Sequence, residues 1–157
     1  VSLDLGLVHK GLITDSAITV AVGAVDDESK KLMNFTKRAL EAGISVARPG
    51  NTTGDIGQAI NEVVEQTKFS LAEDLAGHGV GYKVHEDPFV PNFGVSGDGE
   101  KLVPGMVIAI EPMLNVGKGS IKLSKDGYTI RTKDGSRSAH FEHTVAITEK
   151  GNIILTL

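Results

Sequence analysis

The chain has 157 residues, 40% of them hydrophobic, which is enough to build the core of one domain. Its formal net charge of −4 argues against non-specific binding to nucleic acid, which needs a basic surface. The absence of cysteine excludes disulfide frameworks and thiolate metal sites, and no apolar run approaches the roughly 20 residues that cross a bilayer.

Two β-rich runs open the chain. Residues 1–9 and 12–22 are rich in Val, Ile, Leu and Thr, and the dipeptide Lys10-Gly11 lies between them. A two-residue turn containing glycine between two such runs is typical of a β-hairpin. We therefore predict that the first 22 residues form two antiparallel strands.

Two helical segments follow. Residues 27–43 and residues 53–71 both carry apolar side chains at helical spacing. Asp26 or Asp27 is the expected N-cap of the first helix, and Gly43 is its expected end. The apolar positions of the first helix are Leu32, Phe35, Ala39 and Leu40. Those of the second are Ile56, Ala59, Ile60, Val63 and Val64.

The second half of the chain is predicted to form strands. Residues 74–106 are rich in proline and glycine and are expected to be mostly loops. Strands are predicted over residues 106–112, 120–123, 128–131, 139–148 and 152–156. The pattern predicts an α+β domain in which the helices lie on one side of a mostly antiparallel sheet.

Five ionisable side chains lie in segments that are otherwise apolar or rich in glycine. They are Asp4 in VSLDLG, Asp15 in LITDSA, His78 in AGHGVG, Glu111 in VIAIEPM and Glu142 in SAHFEHTVAI. An unpaired buried charge costs several kcal/mol or is neutralised. Four carboxylates in such places indicate a positive partner, and a pair of divalent metal ions would balance their charge.

The predicted hairpin brings the two aspartates together. With Lys10-Gly11 as the turn, Asp4 faces Ala17 and Asp15 faces Gly6, so the aspartates are diagonal neighbours on one face, with Cβ atoms roughly 7 Å apart. This separation suits carboxylates that reach toward metal ions. For either aspartate alone, a role in capping a turn is about as plausible.

The two glutamates lie in strand-like segments. Glu111 precedes Pro112, which favours a strand end or a bulge. Glu142 shares a strand face with His140 and Thr144 by alternation. A structural salt bridge from Glu142 to Arg131 or Arg137 is the alternative to a metal-ligand role.

The histidines differ in their settings. His78 has three glycines close by, which let the backbone approach closely and direct the ring. His85 lies seven residues further on and is a candidate for contacting either a metal ligand or the substrate. His9 is expected at the hairpin turn, and the sequence leaves the role of His140 open.

Together these segments resemble the methionine aminopeptidases, specifically the shorter type I form of metallopeptidase family M24, which has the pita-bread fold. The resemblance covers nearly the whole chain. It is carried by SLDLGLVHKGLITDSAITVAVG, ARPGNTTGDIGQAI, GHGVGYKVHEDPFVPNFG, LVPGMVIAIEPM and DGYTIRTKDGSRSAHFEHTVAITEKGNIILT. The short spacing between His85 and Glu111 leaves no room for the long insertion of type II enzymes.

The resemblance implies a ligand set. Asp4 would bind one metal ion, Asp15 and Glu142 would bridge two, and His78 and Glu111 would complete the second site. The cofactors would be two divalent ions, and oxygen and imidazole ligands suit Mn, Fe, Co or Zn.

The resemblance also implies an activity. The protein would remove the initiator methionine from peptides and nascent proteins, in the cytoplasm, as a monomer, without nucleic-acid or membrane partners. Glu111 would carry protons as general base and then acid. His85 would bind the substrate amide or the oxyanion. Tyr128 occupies the position of an aromatic residue near the methionine pocket.

Two departures from the family and two other functions remain. The family's catalytic domain has a segment before the position of Val1, so residues 1–157 are expected to form a catalytic domain without it, with weak or no activity and an exposed sheet edge. Many members carry an amide in place of His140. Other functions are another hydrolase of this fold, such as an Xaa-Pro aminopeptidase or a creatinase-like enzyme, or a non-catalytic binding module.

Overall fold

Twelve short strands and two helices make up the computed structural model, which describes residues 1–157. The helices are α1 Asp27–Val46 and α2 Thr53–Val64. The strands are β1 Ser2–His9, β2 Leu12–Thr19, β3 Ser70–Leu71, β4 Gly77–Gly79, β5 Glu86–Val90, β6 Val107–Ile110, β7 Met113–Asn115, β8 Ile121–Leu123, β9 Ile130–Thr132, β10 Ser138–His140, β11 Glu142–Thr148 and β12 Gly151–Ile154.

The N-terminal hairpin forms as predicted. β1 and β2 pair antiparallel, with Asp4 opposite Ala17 and Gly6 opposite Asp15. Both turn residues have positive φ, 51° at Lys10 and 82° at Gly11, as the favoured hairpin turn requires. The second strand ends at Thr19, three residues before the predicted end.

Helix α1 begins where predicted and ends later. Asp26 is its N-cap, accepting a hydrogen bond of 2.7 Å from the Ser29 N–H. The prediction that Gly43 ends the helix is wrong, because α1 continues to Val46. A Cβ atom at Gly43 would lie 3.0 Å from Ile60 Cγ1, so this glycine allows α1 to pack closely against α2.

Helix α2 is shorter than predicted. Thr52 and Asp55 form a capping box at its start. The helix ends at Val64 instead of Leu71, and a short strand, β3, follows. The Thr67 hydroxyl donates to the Val64 carbonyl oxygen and accepts from the Phe69 N–H, which turns the chain so that Phe69 enters the core.

The predicted strands of the second half are present but more interrupted. The segment expected to be loops contains β4 and β5. The strand predicted over 106–112 ends at Ile110 as β6, and a separate strand, β7, begins after Glu111 and Pro112. The strand predicted over 139–148 is interrupted at Phe141, between β10 and β11. Pro112 has no N–H to donate, which accounts for the first interruption.

All observed strand pairs are antiparallel. The main sheet has the order β1-β2-β11-β6-β4-β5, with β12 paired to β11. A three-stranded sheet has the order β10-β7-β3, and β8 pairs with β9. The prediction of an α+β domain with a mostly antiparallel sheet is therefore confirmed. Neither helix is long and apolar enough to cross a membrane.

The two faces of the main sheet differ in character. Val145 and Ile147 of β11 belong to the buried core, together with Leu40, Ile56 and other apolar residues of the two helices. Glu142 and Thr144 alternate with them along β11 and therefore point to the opposite face. The helices thus cover one face of the sheet, and the polar residues of the candidate site lie on the other.

The edge strand β1 is exposed along its whole length. Leu3, Leu5 and Leu7 alternate on one side of it and are all exposed. This agrees with the expected exposed sheet edge.

Candidate metal centre

The two aspartates lie on the same hairpin but differ in burial. Asp15 is buried, while the side chain of Asp4 is 57% exposed. The Thr144 hydroxyl accepts a hydrogen bond of 2.8 Å from the Asp15 N–H and donates one of 2.7 Å to the Asp15 carbonyl oxygen. Strand β11 therefore holds the backbone of Asp15 in place. Burial, and then the Asp4 carboxylate, raise the pKa of Asp15.

Glu142 is the most deeply buried of the four carboxylates. It is 2% exposed, and its Oε1 atom has no hydrogen-bond partner. Burial, and then the neighbouring Glu111, Asp15 and Asp4 carboxylates, together raise the pKa of Glu142 to about 9.

Glu142 does not form the alternative salt bridge to Arg131 or Arg137. Arg137 instead pairs with Asp26 at 2.5 Å and with Glu28 at 2.9 Å, both at the start of α1. Arg131 forms no ion pair within 4.0 Å. Glu142 therefore has no basic partner of its own.

His78 lies on β4 between Gly77 and Gly79, two positions with no space for a side chain. A Cβ atom at Gly77 would clash with the carbonyl oxygen of Ala109, and one at Gly79 would clash with that of Asp87. His78 Nδ1 lies 2.9 Å from the Gly79 carbonyl oxygen and donates to it. The other ring nitrogen, Nε2, faces Glu111 and lies 3.2 Å from Oε1.

Three predicted ligands converge on one point. One ligand atom from each of Asp15, His78 and Glu142 lies within 4.8 Å of the other two. Glu111 adjoins them through its contact with His78. Asp4 lies at the exposed side of the group, and its charge acts on both Asp15 and Glu142.

Glu111 is positioned at the end of β6. Its backbone carbonyl oxygen accepts a hydrogen bond of 3.2 Å from the buried side chain of Asn92. Burial would raise the pKa of Glu111, but the adjacent imidazoles of His140 and His78 outweigh it, so the pKa is lowered. Conversely, burial would lower the pKa of His78, but Glu111 and the Gly79 carbonyl oxygen raise it on balance.

His85 lies beside this group. Its ring contacts that of His78 edge to face, with ring centroids 4.3 Å apart and an interplanar angle of 77°. Both rings line a cavity of about 440 Å³, together with Asp4 and Glu111. Its apolar wall comes from Ala72, Leu75, Ala76, Met113, Ile121 and Ile130.

Tyr128 is not brought to the centre. Its side chain is 81% exposed in the turn between β8 and β9, and it does not line the cavity. Its N–H donates to Asp126 Oδ1 at 3.1 Å, which holds the turn. Ile121 and Ile130 of the same hairpin reach the cavity instead.

His140, whose role the sequence left open, does lie at the centre. Its Nε2 is 3.4 Å from Glu111 Oε2, and its Nδ1 is 3.8 Å from Asp4 Oδ2. The signal in the sequence was strand alternation, which placed His140 on the same face as Glu142.

The donor set suits divalent cations. Asp15, His78 and Glu142 bring two carboxylates and one imidazole together where Glu142 Oε1 has no partner, and Glu111 and Asp4 lie beside this group. Carboxylate oxygen and imidazole nitrogen are ligands of Mn, Fe, Co and Zn. Bound cations would compensate the repulsion that keeps Glu142 protonated.

Comparison with known proteins agrees with this geometry. The sequence profile of metallopeptidase family M24 matches residues 1–149. The chain belongs to metallopeptidase family M24. Because the members are metallopeptidases, this membership supports the use of a divalent metal at the acidic centre.

Relatives within family M24 include methionine aminopeptidases. The chain is 52% identical to that of Aquifex aeolicus, covering 99% of this chain and 61% of the relative. It is 46% identical to methionine aminopeptidase 1 of Bacillus subtilis, covering 99% of this chain and 63% of the relative. The chain thus spans about three fifths of the length of these relatives.

Solved structures place the chain in the same fold. The methionine aminopeptidase of Thermotoga maritima superimposes with a TM-score of 0.96 at 46% identity, covering 99% of this chain and 62% of that chain. A prolidase from Pyrococcus horikoshii superimposes with a TM-score of 0.76 at 25% identity, covering 99% of this chain and 39% of that chain. The predicted pita-bread fold is confirmed.

Proposed function

We propose that residues 1–157 form a catalytic unit of a type I methionine aminopeptidase, which removes the N-terminal methionine from peptides and nascent proteins. The observation that carries the proposal is the convergence of Asp15, His78 and Glu142 in a buried acidic centre. The similarity to methionine aminopeptidases at 46–52% identity supports the choice of substrate.

Five side chains would hold two divalent ions. Asp15 and Glu142 would bind both, Asp4 would complete one site, and His78 and Glu111 would complete the other. The ions would be Mn, Fe, Co or Zn. When bound, such ions lower the pKa of a water molecule and polarise the scissile carbonyl group.

The protein's own residues would position the substrate and move the proton. Glu111 is held ionised by its two imidazole neighbours, so it can accept a proton and return it to the departing amine. His85 lines the cavity and can donate a hydrogen bond to the substrate carbonyl oxygen. The apolar cavity wall can accept a methionine side chain and exclude water from it.

A role for Tyr128 at the methionine pocket stays a proposal, and it requires the turn that carries Tyr128 to move. In the structure this side chain is exposed and outside the cavity. Contact with a methionine side chain would require the turn between β8 and β9 to close over the cavity.

Metal stoichiometry and peptide hydrolysis test the function. We expect the chain to bind two Mn²⁺ or Co²⁺ ions by calorimetry. We expect it to release free methionine from a Met-Ala-Ser peptide at most weakly, in line with the weak activity expected from the sequence. Asp15→Asn should lose at least one ion and all hydrolysis. The control variant Asp134→Asn, in an exposed loop, should keep both.

Two results would contradict the proposal. One is unchanged metal stoichiometry in Asp15→Asn, which a non-catalytic module of this fold would also show. The other is faster cleavage of an Xaa-Pro dipeptide than of the Met-Ala-Ser peptide, which would indicate a prolidase-like enzyme.

A further inference from the structure

We propose that His140 supplies a second imidazole nitrogen to the metal centre, in addition to that of His78. The inference rests on the proposed metal centre and adds one ligand to it. It follows from the position of the ring, the state of its Nε2 atom and the way the strand holds the residue.

The ring of His140 lies between two carboxylates of the centre. Its Nε2 is 3.4 Å from Glu111 Oε2, while His78 Nε2 is 3.2 Å from the other oxygen of the same carboxylate. Glu111 therefore has one imidazole nitrogen beside each oxygen. Two ligand atoms that share an ion at about 2.1 Å, at an angle near 90°, are about 3 Å apart. Both distances are close to this value.

The Nε2 atom of His140 has no other partner. It is buried and makes no hydrogen bond, because its contact with Glu111 does not have hydrogen-bond geometry. A buried nitrogen without a partner is costly unless something else binds it. A metal ion shared with Glu111 would satisfy it.

The two histidines are oriented alike. In His78, Nδ1 faces the Gly79 carbonyl oxygen and Nε2 faces Glu111. In His140, Nδ1 faces Asp4 Oδ2 at 3.8 Å and Nε2 faces Glu111. For His78, the hydrogen bond to Gly79 favours the tautomer whose Nε2 can bind a metal. For His140, the contact with Asp4 is longer than a hydrogen bond, so only the placement of the ring is shared.

The backbone of His140 is held as firmly as that of a ligand residue. The Thr19 hydroxyl accepts a hydrogen bond of 2.8 Å from the His140 N–H and donates one of 2.9 Å to its carbonyl oxygen. The residue also pairs with Met113 in the sheet of β10 and β7. The ring is therefore carried on two fixed strands.

A second imidazole has a chemical consequence. It adds a nitrogen donor without adding negative charge to four carboxylates. Nitrogen ligands favour Co²⁺, Ni²⁺ and Zn²⁺, while all-oxygen surroundings suit Mn²⁺ and Mg²⁺. We expect this chain to prefer Co²⁺ and Zn²⁺ over Mn²⁺ more strongly than its His140→Gln variant does.

Proton NMR of the Co²⁺-loaded protein tests the inference. Each imidazole bound to Co²⁺ through Nε2 carries one exchangeable, strongly shifted Nδ1–H signal. We expect two such signals in the native protein, one in His140→Gln, and two in the control His9→Gln, whose histidine is exposed at the hairpin turn. Calorimetry should show that His140→Gln binds Co²⁺ and Zn²⁺ about 10-fold or more weakly, with a smaller loss for Mn²⁺.

The possible failures are distinguishable. A native protein that binds Co²⁺ with only one shifted imidazole signal would overturn the role of His140 and leave the proposed metal centre intact. Equal losses for Mn²⁺, Co²⁺ and Zn²⁺ in His140→Gln would also overturn it, since they would indicate only a contact with Glu111. A native protein that binds no divalent ion would overturn both proposals. The NMR spectrum of the Co²⁺-loaded native protein tests the role of His140 even if the His140→Gln variant does not fold.

Discussion

At the scale of one residue, Glu142 destabilises the metal-free folded protein. Its side chain is buried beside three other carboxylates, with no basic partner. Its pKa of about 9 means that the metal-free protein keeps it protonated at neutral pH, whereas the unfolded chain ionises it above 4.5. Folding at neutral pH must therefore take up a proton, which lowers the free energy of unfolding.

Replacing Glu142 with glutamine should stabilise the metal-free protein. Glu142→Gln removes the ionisable group and keeps the side-chain size, so we expect the free energy of unfolding at pH 7.5 to rise by about 1–3 kcal/mol. Urea unfolding in the presence of a chelator measures this. The same variant should lose the stabilisation that added Mn²⁺ gives to the native protein.

A matched control is available on the neighbouring turn. Glu149→Gln changes an exposed glutamate, so it should alter neither stability nor the response to Mn²⁺. A Glu142→Gln protein that is less stable than the native chain without metal would contradict the argument.

At the scale of an element, α2 is fixed by close contacts at its glycines. A Cβ atom at Gly57 would lie 2.8 Å from the carbonyl carbon and oxygen of Phe93, in the segment after β5. The adjacent Asn92 donates to the carbonyl oxygen of Glu111. The position of α2 is thus linked through one segment to the metal centre.

Gly57→Ala should destabilise the protein even though alanine is the better helix former. The helix would gain about 1 kcal/mol, but overpacking against a backbone that cannot move cheaply costs about 1–3 kcal/mol. We expect a net loss, measured by urea unfolding. Gly43→Ala is the comparison, because its Cβ would meet the movable side-chain ends of Ile60 and Ile110 at 3.0–3.2 Å, and it should cost less. A Gly57→Ala protein more stable than Gly43→Ala would refute this.

At the scale of the whole molecule, the acidic centre makes stability depend on pH. Because the folded-state pKa values of Glu142, Asp15 and His78 are raised, the free energy of unfolding falls as pH rises from the unfolded-state to the folded-state pKa of each group. The lowered pKa of Glu111 acts oppositely, and its contribution is lost as pH falls below about 4.5. The metal-free protein should therefore be most stable near pH 5.

Thermal unfolding across pH 5–9 measures this dependence. With a chelator we expect Tm to fall steadily from pH 5 to pH 9. Divalent metal ions at about 100 times their Kd should add about 2.7 kcal/mol of stability per bound ion, and should reverse the trend because they bind the ionised carboxylates. A Tm that is flat over this range without metal would show that the carboxylates do not interact as described.

Much of the fold and of the centre could be predicted from local sequence. The hairpin register followed from the Lys10-Gly11 turn, because a two-residue turn leaves only one pairing of the strands. The start of α1 followed from Asp26, whose side chain caps the helix. The residues of the centre could be recognised because single charges in apolar strands are costly.

Other features could not be predicted, because they depend on distant parts of the chain. Gly43 was predicted to end α1, but this glycine instead allows α1 to pack closely against Ile60. The end of α2 depends on the burial of Phe69. Tyr128 is exposed because the turn between β8 and β9 holds it away from the cavity, and the sequence did not predict the position of this turn.

Local sequence was enough to predict the two helices, the hairpin register and the set of charged residues that needed a partner. These depend on turn chemistry, capping and the cost of burying charge, which act over a few residues. Which of these side chains meet depended on long-range strand pairing. It placed Glu111 between His78 and His140, and directed Arg137 away from Glu142, because strands far apart in the chain had to pair before those distances existed.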